Sequence, residues 1–117
     1  MDRNSGEKFS WRQRIVRSAD FRALYDKGRR YETGYFVLFG RSNDLGFHRL
    51  GLTVSRKVGC AVVRNRIKRL FREIFRRCSA QIPCQYDLVV NAKRDSAAAS
   101  YSALREEFLA AARKICR

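Results

Sequence analysis

The stretch from Gly59 to Cys78, GCAVVRNRIKRLFREIFRRC, constrains this chain more than any other. Val63, Ile67, Leu70, Phe71, Ile74, Phe75 and Cys78 recur at helical spacing and form one apolar stripe. Asn65, Lys68, Arg69, Arg72 and Arg76 fall near the opposite side, and Arg64 and Arg66 flank the stripe. Such a helix has to bury one face and leave a cationic face in water. Seven Lys/Arg side chains against one acid, Glu73, are more than a soluble surface needs, because such surfaces mix signs. A polyanion lying along the outer face accounts for the excess.

The whole chain carries the same bias, with 26 Lys/Arg against 11 Asp/Glu and a net charge of +15 over 117 residues. Self-repulsion of that size opposes folding. Nucleic acid is the commonest counter-charge, and an anionic membrane surface comes second. No apolar run approaches a membrane span and the N-terminus lacks an apolar signal segment, so a cytoplasmic protein without a membrane partner is expected. A hydrophobic content of 45% supports one modest core and one domain. Cys60, Cys78, Cys84 and Cys116 form no C-x-x-C pair, and His48 is the sole histidine. Neither a protein-held metal nor a disulfide is expected. Cys78 and Cys116 read as small core residues.

Residues 1–14 are expected to be a flexible basic segment, and residues 15–117 a single RNA-binding domain. The run from Phe9 to Arg17 reads equally as an extended arm or a short edge strand. Ser18 as N-cap, Asp20 in the first turn, Phe21, Leu24 and Tyr25 on one face, and Gly28 at the end predict a helix over 19–27. Tyr35 to Arg41 is aromatic and branched, which predicts a strand, with 30–33 as a short strand leading in. After a turn at 42–46, residues 49–57 alternate. Leu50, Leu52 and Val54 face one way; Gly51, Thr53, Ser55 and Lys57 face the other. These two runs are expected to pair as an antiparallel hairpin. Pro83 opposes continuation of the basic helix, and Tyr86 to Ala92 reads as a strand. A strand, a long helix and a strand in succession imply parallel pairing. A last helix, with Tyr101, Leu104, Phe108, Ala112 and Ile115 as its stripe, starts at Ser100 or nearer Ser96. The sum is an α+β fold, a small mixed sheet with the basic helix packed on it.

No catalytic constellation stands out. His48 lies in a turn, Glu106 and Glu107 point apart on a helix, and no Gly-rich phosphate loop is present. Catalysis, if any, is expected from a partner. Asn65, set between two arginines, can both donate and accept, so it is a candidate for a base or sugar contact. Phe21, Tyr25 and Phe39 are either core, which spacing alone favours, or a platform for unpaired bases. Each base–ring stack contributes about 1–3 kcal/mol. The platform requires Phe39 to lie on the same side of the sheet as Thr53, Ser55 and Lys57. A structural ribosomal protein or RNA chaperone would share this charge without needing such a groove.

The run RLGLTVSRKVGCAVVRNRIKRLFREIFR from Arg49, with its Arg64-Asn65-Arg66 core followed by Lys68-Arg69, resembles the protein component family of bacterial ribonuclease P. Ser18-Ala19-Asp20-Phe21 with Gly28, and Tyr86-Asp87-Leu88-Val89-Val90 with Lys93, resemble that family's first helix and last strand. The resemblance implies an α-β-β-β-α-β-α domain with a mixed four-stranded sheet and a left-handed crossover through the basic helix. It also implies a subunit of a ribonucleoprotein endonuclease that removes the 5′ leader of precursor tRNA. The RNA subunit would carry catalysis and the Mg2+ ions, with no catalytic or metal residue in the protein and no obligate protein partner. By the same resemblance, Phe21, Tyr25, Phe39, Ser55 and Lys57 would form a leader-binding cleft. Arg64, Asn65, Arg66, Lys68, Arg69 and Arg72 would form the RNA-binding helix face. Arg56 stands where the family commonly has Lys, Tyr25 where Phe is frequent, and Cys60 where Asn is usual.

Overall fold

In the computed structural model, which describes residues 13–82 and 85–116, the apolar stripes of the basic helix and of the last helix face the core, whereas of Phe21, Leu24 and Tyr25 only Leu24 is buried. The elements are α1 (Ser18–Lys27), β1 (Arg29–Glu32), β2 (Phe36–Ser42), β3 (Arg49–Thr53), α2 (Ala61–Cys78), β4 (Tyr86–Ala92) and α3 (Tyr101–Ile115). Short 3-10 turns at Ser79–Gln81 and Arg94–Ala98 flank β4. This is the expected α+β domain with a mixed four-stranded sheet. Phe9, Trp11, Pro83, Cys84 and most of the 1–14 segment lie outside the described residues.

The strand order is β1-β2-β4-β3, so the expected hairpin between β2 and β3 does not form. Strand β4 enters between them, antiparallel to β2 and parallel to β3. Its burial accounts for this place: Leu88, Val89 and Val90 are fully buried, and only a central strand is covered on both faces. Alternation within one run specifies a face, not a neighbour. The antiparallel hairpin is instead β1 with β2. Thr33 closes its turn, its hydroxyl accepting from the Tyr35 and Phe36 amides and donating to the Phe36 carbonyl. The parallel pairing across the basic helix stands as expected.

Each face of the sheet has its own apolar cluster. Phe36, Leu38, Leu88, Val90 and Leu50 meet Ile67, Phe71, Ile74 and Phe75 of α2 and Leu104, Phe108 and Ile115 of α3. Each such side chain, fully buried, contributes about 1.5–3 kcal/mol. Cys78 and Cys116 belong to this core. The opposite face carries a smaller cluster of Ile15, Leu24 and Val89, with Phe21 and Phe39 packed against it, so α1 lies on that side.

Several boundaries moved for local reasons. Ser18 is the first helical residue and Arg17 occupies the N-cap without a side-chain hydrogen bond. Gly28 ends α1 in extended backbone at φ −78, not in the left-handed region. Its lack of a side chain matters for room, since a Cβ would stand 2.5 Å from the Leu24 carbonyl oxygen. Strand β3 stops at Thr53, short of residue 57. Ser100 starts α3, its hydroxyl accepting from the Ala103 amide at 3.1 Å. Gln13 and Arg14 are anchored. Gln13 donates to the His48 carbonyl at 3.3 Å, Arg14 bridges Leu50, and the Ile15 amide donates to the Leu50 carbonyl at 2.9 Å.

His48 is buried, its Nδ1 accepting from the Tyr86 amide at 3.2 Å and its ring edge-on to Phe75. Burial, chiefly, holds its pKa below the ordinary 6.5. The unfolded chain therefore takes up the proton first, and stability is lost as pH falls below 6.5 toward the folded-state value. Urea unfolding between pH 7.5 and 5 should show the midpoint falling in that window. The His48→Gln variant should have a flatter profile over the same interval.

Candidate nucleic-acid interface

Helix α2 divides as its spacing requires. Ile67, Phe71, Ile74, Phe75 and Cys78 are buried, and Val63 and Leu70 pack against them. Asn65, Arg66 and Arg69 are exposed; Arg64, Lys68 and Arg72 are half-buried. Arg64 donates to the Gly59 carbonyl and Arg66 to the Ala97 carbonyl, each at 3.2 Å. Both contacts aim the guanidinium, and neither arginine has an acidic partner among the described residues.

The helix's single acid acts at the other end. Glu73 binds Arg76 and Arg77, each at 2.5 Å. These two arginines hold its carboxyl at about 2, far below the usual carboxylate range. Arg76, expected on the open cationic side, is instead half-buried against Glu73. The cationic ridge therefore runs from Arg64 to Arg72. At the N-terminus, Cys60 occupies the N-cap and is exposed. The backbone N–H groups of Val63 and then Val62 pull its thiol below the usual range.

One cation of the ridge was missed in the sequence. Arg14 joins Lys68 and Arg72 around a cavity of about 140 Å³ whose other walls are Ile15, Val16, Leu50 and Leu52. Burial, and then the nearby Arg14 charge, lower the Arg72 pKa. Like charges gathered this way gain from a bound anion. The flanking run gave only an undecided arm or edge strand, and nothing in it indicated that Arg14 would meet α2.

The aromatic set assembles on the opposite face of the sheet. Register aligns Phe39 with Val89 and Gly51, and then Val37 with Asn91 and Thr53. Phe39 thus lies on the same side as Thr53, as the platform reading required. Helix α1 lowers Phe21 and Tyr25 onto this face. Tyr25 stands edge-on to Phe39, centroids 4.9 Å apart, and 6.4 Å from Phe21. Its hydroxyl shares a 3.0 Å hydrogen bond with the Thr53 hydroxyl. Phe21 and Phe39 are half-buried and lean on the core, whereas Tyr25 is 38% exposed. Two of the rings therefore lean on the core, as spacing alone favoured, and the third is left as the open wall of a trough. Ser55 and Lys57 are exposed in the turn after β3, where strand alternation no longer sets their direction.

A fork of charge holds α1 at this height. Arg49 donates to both Asp87 oxygens, at 2.8 and 2.6 Å, and lies 3.7 Å from Asp20 of α1. Asn43 adds a 2.7 Å hydrogen bond to Asp87. Bidentate, partly buried pairs of this kind fix geometry as well as adding stability. None of these residues was singled out as a clamp in the sequence.

The family model described as Ribonuclease P matches residues 9–116. A ribonuclease P protein component from Desulfovibrio desulfuricans is 43% identical over 108 residues, covering 89% of this chain and 83% of the relative. Its counterpart from Thermotoga maritima is 43% identical over 84 residues, covering 72% of each chain. Among solved structures, the T. maritima RNase P protein superposes with a TM-score of 0.80 at 34% identity, over 87% of this chain and 96% of that one. The Staphylococcus aureus RNase P protein gives 0.76 at 31% identity, over 90% and 98%.

Gly51 lies beneath Phe21, and a Cβ there would stand 2.9 Å from the ring. Gly51→Ala should therefore lift Phe21 and cost about 1–3 kcal/mol of stability. Urea unfolding checks the loss, and quenching of the tyrosine signal by acrylamide should report a more open trough.

Proposed function

This chain belongs to the ribonuclease P protein family, and we propose that it grips precursor tRNA on behalf of a catalytic RNA. As a ribonuclease P protein component, it is part of an enzyme of tRNA processing. In our reading, the ridge from Arg64 to Arg72 binds the ribonuclease P RNA. The trough of Phe21, Tyr25 and Phe39, with Ser55 and Lys57 at its mouth, holds the single-stranded 5′ leader. The RNA subunit cleaves the leader and carries the magnesium ions that cleavage needs. No residue of the protein enters the bond-breaking step. The complex works in the cytoplasm and requires no further protein subunit.

The observation that carries this reading is the split between the two faces of the sheet. Lys68 and Arg72, without acidic partners among the described residues, border one side of β3, and an open ring with a hydroxyl partner borders the other. Phosphate contacts supply affinity without regard to sequence. Stacking orients a flexible strand and tolerates many bases. The net charge of +15 offsets the repulsion between two RNAs brought side by side.

Reconstitution with a bacterial ribonuclease P RNA at low magnesium should restore precursor cleavage. No gain at any protein concentration would overturn the assignment. Arg69→Ala should weaken RNA binding and reduce its salt dependence, by up to about one unit of log–log slope. An unchanged slope would place Arg69 away from RNA. Phe21→Ala should weaken binding of precursor relative to mature tRNA while the affinity for the RNA subunit is kept. Equal losses for both tRNAs would make Phe21 a core residue only.

A further inference from the structure

We propose that the groove between α2 and α3 is a second phosphate-binding site for the ribonuclease P RNA, an inference that rests on the RNA-binding role assigned to the ridge above. Each helix gives the groove two residues one turn apart, Glu73 and Arg77 from α2 and Tyr101 and Arg105 from α3. Together they line an open cavity of about 510 Å³. Both helices pack on the face of the sheet opposite to α1. The sheet therefore stands between this groove and the aromatic trough, and a leader held in the trough lies on the far side.

Two hydrogen-bond donors in the groove have nothing to donate to. The Tyr101 hydroxyl is closed off from water and has no hydrogen-bond partner among the described residues. Buried polar groups are nearly always paired, so an orphan of this kind calls for a reason. The Tyr101 ring packs against the main core, and phenylalanine would serve that packing without an unpaired hydroxyl. Arg105 is half-buried, and no acid among the described residues pairs with it. A crowded dip in the surface would account for either feature alone. Here they come from successive turns of one helix and border the same cavity, opposite the exposed Arg77. Two guanidinium groups and a hydroxyl are the donors that a phosphate uses.

Glu73 is the obstacle, since its carboxyl stays ionised and would repel an anion. Arg76 removes the difficulty. It forks Glu73 by itself, with Nε 3.1 Å from one carboxylate oxygen and Nη2 2.5 Å from the other. Arg77 is the second partner of that carboxylate and the more exposed of the two arginines. It is free to turn toward an incoming phosphate while Glu73 remains compensated. As Arg77 and Arg105 close on the phosphate, their stems move and the Tyr101 hydroxyl gains an acceptor. Continuity with the ridge names the source of the phosphate. Arg66 and Arg77 lie on one flank of α2, about three turns apart. An RNA strand that meets Arg66 and continues along that flank arrives at the groove.

The test measures binding of the full chain to a bacterial ribonuclease P RNA over a range of salt, for the wild type, Tyr101→Phe, Arg105→Gln and Arg69→Ala, with thermal unfolding as a folding control. Arg105→Gln should weaken binding by at least about threefold and lower the log–log salt slope by up to about one. Tyr101→Phe should also weaken binding by at least about threefold, with the slope unchanged because no charge is lost, and without loss of thermal stability because no hydrogen bond within the protein is lost. Ethylating the RNA phosphates one at a time should reveal one position that weakens the wild type and leaves Arg105→Gln indifferent. Wild-type affinity in both folded groove variants, or the absence of any such phosphate, would overturn the groove assignment while Arg69→Ala still weakens binding. If Arg69→Ala also binds as the wild type does, the RNA-binding role of α2 fails first and the groove with it.

Discussion

Everything this surface can do depends on β4 entering the sheet between β2 and β3. The insertion brings Phe39, Val89 and Gly51 into one row, and Val37, Asn91 and Thr53 into the next. It also forces the chain to cross one face of the sheet after β3, and the crossing element is α2. A helix in that place has to give its apolar stripe to Leu50, Leu88 and Val90. Its cations are then left along the outside, next to β3. The core requirement and the charge arrangement are thus two consequences of one topology.

The few acids are spent on geometry. Asp87 and Asp20 hold Arg49 and so set the height of α1 over the sheet, while Glu73 gathers Arg76 and Arg77 at the far end of α2. Glu32 pairs with Lys93 where β1 and the end of β4 come close. The span from Arg64 to Arg72 receives no such partner among the described residues. Surface pairs add little to stability in general, typically about 0–1 kcal/mol. Their placement here matters more for where positive potential is left than for how firmly the chain folds.

The elements themselves were legible because each rests on local periodicity. The stripes of α2 and α3, the short lead-in strand and the parallel crossover could all be read along the chain. Strand neighbours could not, because the alternation of residues 49–57 is equally compatible with pairing to β2 or to β4. The site divided in the same way. The ridge residues lie on one helix and were visible together, except that Arg76 had a nearby acid one turn away. Arg14 and the Arg49–Asp87 fork depend on contacts between segments far apart in sequence, so no window of residues announces them. The aromatic trough lay between these cases: the sequence offered its rings as either core or platform, and only the register could place Phe39 on the same side of the sheet as Thr53.

Both margins of the sheet discourage further pairing, by different means. Beyond β3, Arg14 and Ile15 cover the strand through the bridge to Leu50. Along β1, Arg29, Arg30 and Glu32 are exposed, and only Tyr31 is partly covered. Charged side chains on a four-residue border strand discourage another copy from adding its own strand there. Strand addition at that border is thereby disfavoured, and the many cations of the chain add mutual repulsion between copies.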